Sequence, residues 1–275
     1  MKTSAWFCAG VPGLLIFLAA IQVAAQSSYQ VIRVTNGGTI TGTVKWTGAS
    51  VRPLSLPINK NGDVCDPTNG KTRDLERLIV GPAGGVENAV VYLKDITQGK
   101  AMNLPEVRVS LNQKNCRYEP HILLVGINTE MKMKNSDPIL HNIHMVGAAA
   151  YNLPFPLKDM DVKRPMRKAG VVDLKCDAGH VWMNAETLVV THPYYAVTNE
   201  RGEFKLTDVP PGEYEIVAWH EGWTIVREEA VMDVDAHREV HRPIFSDPKT
   251  WEKHVSVPAD GTATVNFEIS EKSGS

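Results

Sequence analysis

Short runs of alternating apolar and polar residues, broken by turn residues, recur along this chain. From Thr39 the segment GTITGTVKWTG alternates Ile40, Thr41, Gly42, Thr43, Val44, Lys45 and Trp46, the period-two pattern of a half-buried strand ending in a turn. NAVVYL at 88–93 is uniformly apolar and predicts a buried strand after the GPAGG turn at 81–85. VRVSL, HILLVGI and EMKMKN predict further short strands, and VVDLKC and ETLVVT flank a short loop around His180. GEFKLTDVPPGEYEIVAWHEGW predicts two strands joined by the VPPG turn, and HVSVPADGTATVNFEI a hairpin-like pair around Asp260-Gly261. Two stretches predict loops: residues 48–76, rich in Pro, Asn, Gly and charge, and the Pro-, Lys- and Asp-rich stretch from Leu153 to Ala169. No apolar repeat at helical spacing is sustained anywhere. The pattern predicts an all-β chain built as sandwiches.

Composition narrows the function classes. Of 275 residues 43% are apolar and 22% charged, enough for a packed core and against wholesale disorder. Lys and Arg number 29 against 31 Asp and Glu, and this near-neutral balance argues against nucleic acid as a partner. The 21 Gly and 17 Pro sit largely at spaced punctuation points, as many turns require.

The first 25 residues read as a secretory signal peptide. Lys2 is their only charge, an apolar run extends from Trp6 to Val23, and Val23-Ala24-Ala25 places small residues ahead of Gln26. The run approaches the ~20 residues that span a bilayer, so an uncleaved anchor is the alternative. Pro12 and Gly13 interrupt it and favour cleavage. The expected mature protein is periplasmic or secreted, with no membrane span left. It keeps Cys65, Cys116 and Cys176, an odd number for an oxidising compartment. Cys176 has a histidine and a methionine close behind it, so a Cys65–Cys116 disulfide is the expected pairing.

GTITGTVKW, NAVVYL, AVTNERGEFKLTDVPPGEYEIVAWHEG and VSVPADGTATVNFEI resemble the successive strands of a carboxypeptidase regulatory-like (transthyretin/prealbumin-like) β-sandwich. Gly202, Phe204, Val209, Pro210, Pro211, Gly212 and Tyr214 carry the strongest part of that match. Between NAVVYL and AVTNERG, the clusters NSDPILHNIHM and KCDAGHVWM resemble the ligand segments of a cupredoxin. Together the pattern resembles secreted bacterial proteins of the plastocyanin-like or methylamine-utilisation-like kind. The resemblance implies a cupredoxin-like Greek-key sandwich nested within, or joined to, the regulatory-like sandwich. The division it implies is residues 1–25 signal peptide, 26–103 first part of the regulatory-like sandwich with its long loop, 104–191 cupredoxin-like domain, and 192–275 second part of the outer sandwich. An inserted unit of this kind is expected to carry its own core, from Val107, Val109, Ile122, Leu124, Val172, Leu174 and Val189.

The cupredoxin resemblance implies one type 1 copper, held by His141, Cys176, His180 and Met183: two imidazoles and a thiolate near a plane, with a long thioether contact on the axis. It also implies that Asn142 ties the two ligand segments together by hydrogen bonds. One residue more than in the familiar CxxH loop separates Cys176 from His180, and Gly179 can absorb it. His144 falls three residues after His141, on the opposite face of a regular strand; only a bend would bring it in to complete a more nitrogen-rich site. The competing possibility is a cupredoxin fold without copper, in which Cys176 is an inert buried thiol.

Elsewhere, His121, His192 and His220 read as structural, His237, His241 and His254 as solvated, and Tyr194, Tyr195, Trp219 and Trp223 as packing, with carbohydrate stacking the alternative. Lys163, Arg164, Arg167 and Lys168 form a basic stretch suited to a solvated loop or to steering an acidic redox partner. Three function classes follow. The first is exported electron transfer with a redox protein partner in the periplasm or cell envelope. The second is a non-redox β-sandwich binding or adhesion module acting on a glycan or an envelope partner. The third, an enzyme, lacks HxH pairs for a second copper centre, a GxSxG elbow and an HExxH helix.

Overall fold

The computed structural model describes residues 29–103, 109–233 and 236–274. The signal segment 1–25, and Val107 among the expected core residues, lie outside the described residues. Among the described residues the chain is all-β, with one four-residue helical turn, Gly62–Cys65. No helix among the described residues is long and apolar enough to cross a membrane.

One pair of sheets is formed by the two ends of the described chain. Its first sheet runs Tyr195–Val197, Val90–Leu93, Gly212–His220, Lys249–Val257. Its second centres on Gly38–Trp46, which pairs with Glu203–Val209 on one edge and, in parallel, with Thr262–Thr264 and Phe267–Ile269 on the other. Alternating side chains such as Ile40, Val44, Val91, Leu93, Phe204, Leu206 and Ile216 fill the space between the sheets. The residues after Val257 therefore do not fold back as the expected hairpin. Lys249–Val257 pairs with Gly212–His220, and the turn at 258–261 carries the chain across to the other sheet. Period-two alternation marks a half-buried strand but is blind to which sheet receives it.

The strands between Ser110 and Val190 form a second pair of sheets and, among the described residues, pair with no strand outside that range. One sheet runs Arg117–Glu119, Ser110–Lys114, Glu130–Asn135, Asp161–Pro165; the other runs Ile122–Gly126, Asn184–Val190, Gly170–Lys175, His141–Gly147, Asn152–Phe155. Two of these strands occupy the stretch expected to be loop. Asn152–Phe155 and Asp161–Pro165 are edge strands, each with a single partner, and an edge tolerates Pro154 and Pro165 because one side of its backbone needs no ladder bond. Residues 48–76 likewise contain the short pair Ser55–Pro57 and Thr72–Asp74.

The expected self-contained core of this second unit needs correction. Ile122–Gly126 is buried along its whole length. Leu123 and Val125 face the inner core with Val172, Leu174 and Val189, whereas Ile122 and Leu124 turn outward onto Val90 and Trp219 of the first pair of sheets. A strand covered on both faces reads as a continuous apolar run, and the HILLVGI pattern is that run. The inner core also recruits Cys65, Leu75 and Val240 from outside the unit. Val240 belongs to an antiparallel pair, Ile225–Asp233 with Arg238–Phe245, that the polar composition of this stretch concealed.

Candidate metal centre

Three neighbouring strands bring the candidate donors to one end of a sheet. Antiparallel register sets His144 opposite Lys175 and Lys175 opposite Asn184, so His141, the loop after Lys175 and the residues before Asn184 meet there. His141, Cys176 and His180 are all fully buried, and one donor atom from each lies within 4.8 Å of the others. Cys176 is the free thiol among the described cysteines, and its Sγ is 3.7 Å from His180 Nδ1. The imidazole rings of His141 and His180 are 4.7 Å apart at 61°.

Both rings are fixed through the nitrogen that faces away from the thiol. His141 Nε2–H donates to Asp137 Oδ2 at 2.8 Å, and His180 Nε2–H donates to Asn61 Oδ1 at 2.9 Å. Asp137 is itself oriented by the backbone N–H groups of Asn115 and Cys116, at 2.8 and 2.9 Å. This leaves Nδ1 of His141 buried with no hydrogen-bond partner. An unpartnered buried acceptor is costly; beside a thiol and a second imidazole, and with its ring held by a carboxylate, it is available to a metal.

Electrostatics point the same way. Burial pushes the Cys176 thiol up, but the His141 and His180 imidazoles beside it outweigh that and hold the thiol at about 6. For His141 burial pushes downward, while Asp137 and Cys176 raise it by a larger combined amount.

The loop between Cys176 and His180 turns through Gly179, whose φ of +84° suits glycine. Asn142 Oδ1 accepts from the Asp177 N–H at 3.2 Å, a bond that joins the strand of His141 to the loop between Cys176 and His180. Met183 is buried in the same core and its N–H donates to the His180 carbonyl at 2.9 Å, closing a turn. Trp182 packs edge-on against His180 at 5.5 Å. His144 stays outside the donor group: its strand is regular, and its Nδ1 pairs with Asp177 Oδ2 at 2.7 Å. Cys65 and Cys116 form a disulfide with 5.0 Å between Cα atoms.

His121, His192 and His220 belong to no donor group among the described residues. His121 pairs with Glu221, His192 packs among Tyr29, Tyr194 and Tyr195, and His220 bonds to the Glu221 carbonyl at 2.9 Å. Trp219 is buried at the junction of the two pairs of sheets, and Trp223 stacks on Trp251. Sequence reasoning missed Asp137, Asn61 and Arg242. Arg242 reaches the loop from the strand Arg238–Phe245 and donates to the Cys176 carbonyl and to Asp177 Oδ1, both at 2.9 Å. Asp137, four residues before His141, was open to recognition as a ring partner; Asn61 and Arg242 carry no local signal.

Residues 190–243 match the family described as BOS complex subunit NOMO1-like, second beta sandwich domain. Among solved structures the chain is similar to a reduced tryptophan-to-tyrosine variant of amicyanin, at 21% identity over 32% of this chain and 87% of that one, with a TM-score of 0.27. It is similar to a novel purple cupredoxin from Nitrosopumilus maritimus at 18% identity, covering 30% of this chain and 98% of that one, TM-score 0.26. An oxidized proline-to-glycine variant of amicyanin gives 18% identity, 42% of this chain and 93% of that one, TM-score 0.28. No curated protein matches the chain. The architecture is all-β with a NOMO-like β-sandwich segment and weak cupredoxin-like structural neighbours, and it holds a buried His/Cys group able to bind a metal.

Proposed function

We propose that this chain is an exported type 1 copper protein that carries electrons between redox partners in the periplasm or cell envelope. The observation that carries the reading is the unpartnered Nδ1 of His141, buried beside the Cys176 thiol and Nδ1 of His180. One thiolate and two imidazoles are a donor set of intermediate softness, suited to both Cu(I) and Cu(II). Copper held there would supply one-electron redox chemistry. The chain's own part is to hold the rings through Asp137 and Asn61, to fix Cys176 as thiolate, and to exclude water by burying all three donors. Met183, which closes the turn after His180 and is buried in the same core, would offer its thioether as the fourth donor. Export rests on the N-terminal apolar pattern and its small-residue site.

The test is metal analysis of the exported protein beside its visible spectrum. One equivalent of copper with strong thiolate-to-copper absorption, abolished in Cys176→Ser, supports the reading. A colourless protein that takes up no copper overturns it and leaves the binding-module alternative.

A further inference from the structure

The disulfide lies against the same histidines. Sγ of Cys65, Sγ of Cys116 and a ring nitrogen of His180 are mutually within 4.8 Å, and Cys116, Asp137 and His141 form another such group. His180 is thus shared between Cys176 with His141 on one side and the two bridged sulfurs on the other. Three sulfurs and two imidazoles occupy one buried region, with two of the sulfurs bonded to each other.

We propose that reduction of the Cys65–Cys116 disulfide opens a second, sulfur-rich metal site, made of Cys65, Cys116 and His180 and selective for Cu(I). Thiolates are soft donors that favour Cu(I), and two of them beside one imidazole outmatch a site holding a single thiolate. The reductant is a dithiol. One of its thiolates attacks a disulfide sulfur, the S–S bond breaks, and a mixed disulfide forms. Its second thiol then resolves that bond, leaving the reductant as a disulfide and the protein with two thiols. Cu(I) displaces both thiol protons and does not change oxidation state. Access runs through the segment carrying Cys65. The Gly62–Cys65 turn is flanked by three-residue strands and entered through Asn61 in the left-handed region, so it is among the elements most easily opened locally.

The experiment uses the full mature chain, without oxygen, and Cu(I) alone as the probe. Against a coloured Cu(I) chelator, dithiol-reduced and desalted protein should hold Cu(I) at least tenfold more tightly than oxidised protein. In the reduced protein, Cu(I) should slow alkylation of Cys65 and Cys116 by iodoacetamide at least tenfold, read by mass spectrometry. Equal affinities, or unchanged alkylation at these two cysteines, overturn the proposal. Cys176→Ala separates it from the type 1 reading: that variant loses colour but should retain copper protection of Cys65 and Cys116, and loss of protection counts against the second site. His180→Gln should weaken protection. Full protection without His180 would mean that two thiols bind copper independently of this site, and would also overturn it.

Discussion

Arg242 donates through Nη2 to the carbonyl oxygen of Cys176 at 2.9 Å, from a strand 66 residues further along the chain. The same nitrogen lies 2.9 Å from Asp177 Oδ1, so one buried guanidinium grips the backbone of Cys176 and the next side chain in its loop together. Asn142 holds that loop from the opposite side through the Asp177 N–H. The candidate thiol is thus positioned both by the second pair of sheets, through Asn142, and by the separate strand pair Ile225–Asp233 with Arg238–Phe245.

Replacing Arg242 with Met should remove both bonds and leave the Cys176 carbonyl without its donor. A loss of about 1–3 kcal/mol in unfolding free energy is expected, measured by urea denaturation. Arg242→Lys should recover only part of it, because the shorter lysine chain carries its ammonium short of the place where Nη2 meets both acceptors. In copper-loaded protein the visible band of Arg242→Met should shift, since the thiolate loses its orienting contact. A wild-type spectrum and stability together would show that the bond does not position the loop.

Much of the strand inventory was legible because period-two alternation is a local property: Ile40 to Trp46 and the apolar run at 122–126 announce themselves. That His141, Cys176 and His180 come together was legible because the sequence pattern of a metal-binding group restricts residue type and order. What stayed hidden is non-local. Nothing near Asn61 marks it as a partner of His180, 119 residues away. Arg242 sits in a stretch of charges that looks solvated, and its partner is a backbone carbonyl, which every residue carries. The turn at 258–261 has the residues of a hairpin, but the parallel partners of Thr262–Thr264 lie near the other end of the chain.

Asn61 offers a clean test of ring orientation. Its φ of 50° is one that glycine adopts without strain, so Asn61→Gly deletes the acceptor on His180 while keeping the backbone path. Copper affinity should fall about 10–100-fold, the usual cost of losing a hydrogen bond behind a ligating histidine. Stability without metal should fall by about 1–3 kcal/mol, because the buried His180 Nε2–H loses its acceptor. Chelator competition and thermal melting of the same sample measure the two.

Acid should destabilise the fold through a histidine remote from the candidate site. Burial holds His192 down to about 4. Its folded value lies below its unfolded value of 6.5, so the unfolded chain binds the extra proton between the two. The stabilisation is fully present above pH 6.5 and is lost as the pH falls toward 4, at roughly 1.4 kcal/mol per unit. Burial lowers His220 as well, which adds in the same direction. Melting temperatures taken between pH 7 and 4 should fall, and His192→Gln should make that slope shallower. An identical slope in the variant would remove His192 from the account.

Gly179 tests how the loop between Cys176 and His180 makes its turn. Its φ of +84° is strained for any residue with a Cβ, and a Cβ placed there would lie 2.8 Å from Cγ of Asp233 and 3.0 Å from each carboxylate oxygen. That carboxylate cannot simply swing aside, because Lys60 holds it at 2.5 Å. Gly179→Ala should therefore suffer two separable penalties, a backbone term of about 1–2 kcal/mol and a steric term against Asp233. In the double variant with Asp233→Ala the steric term should vanish and the backbone term remain, so the combined loss should be smaller than the sum of the single losses by about 0.5–3 kcal/mol. Urea denaturation of the four proteins gives the coupling. Additive losses would mean that the loop moves away from Asp233 when Gly179 is replaced. A Gly179→Ala protein as stable as wild type would mean that the turn between Cys176 and His180 does not depend on a left-handed residue at all.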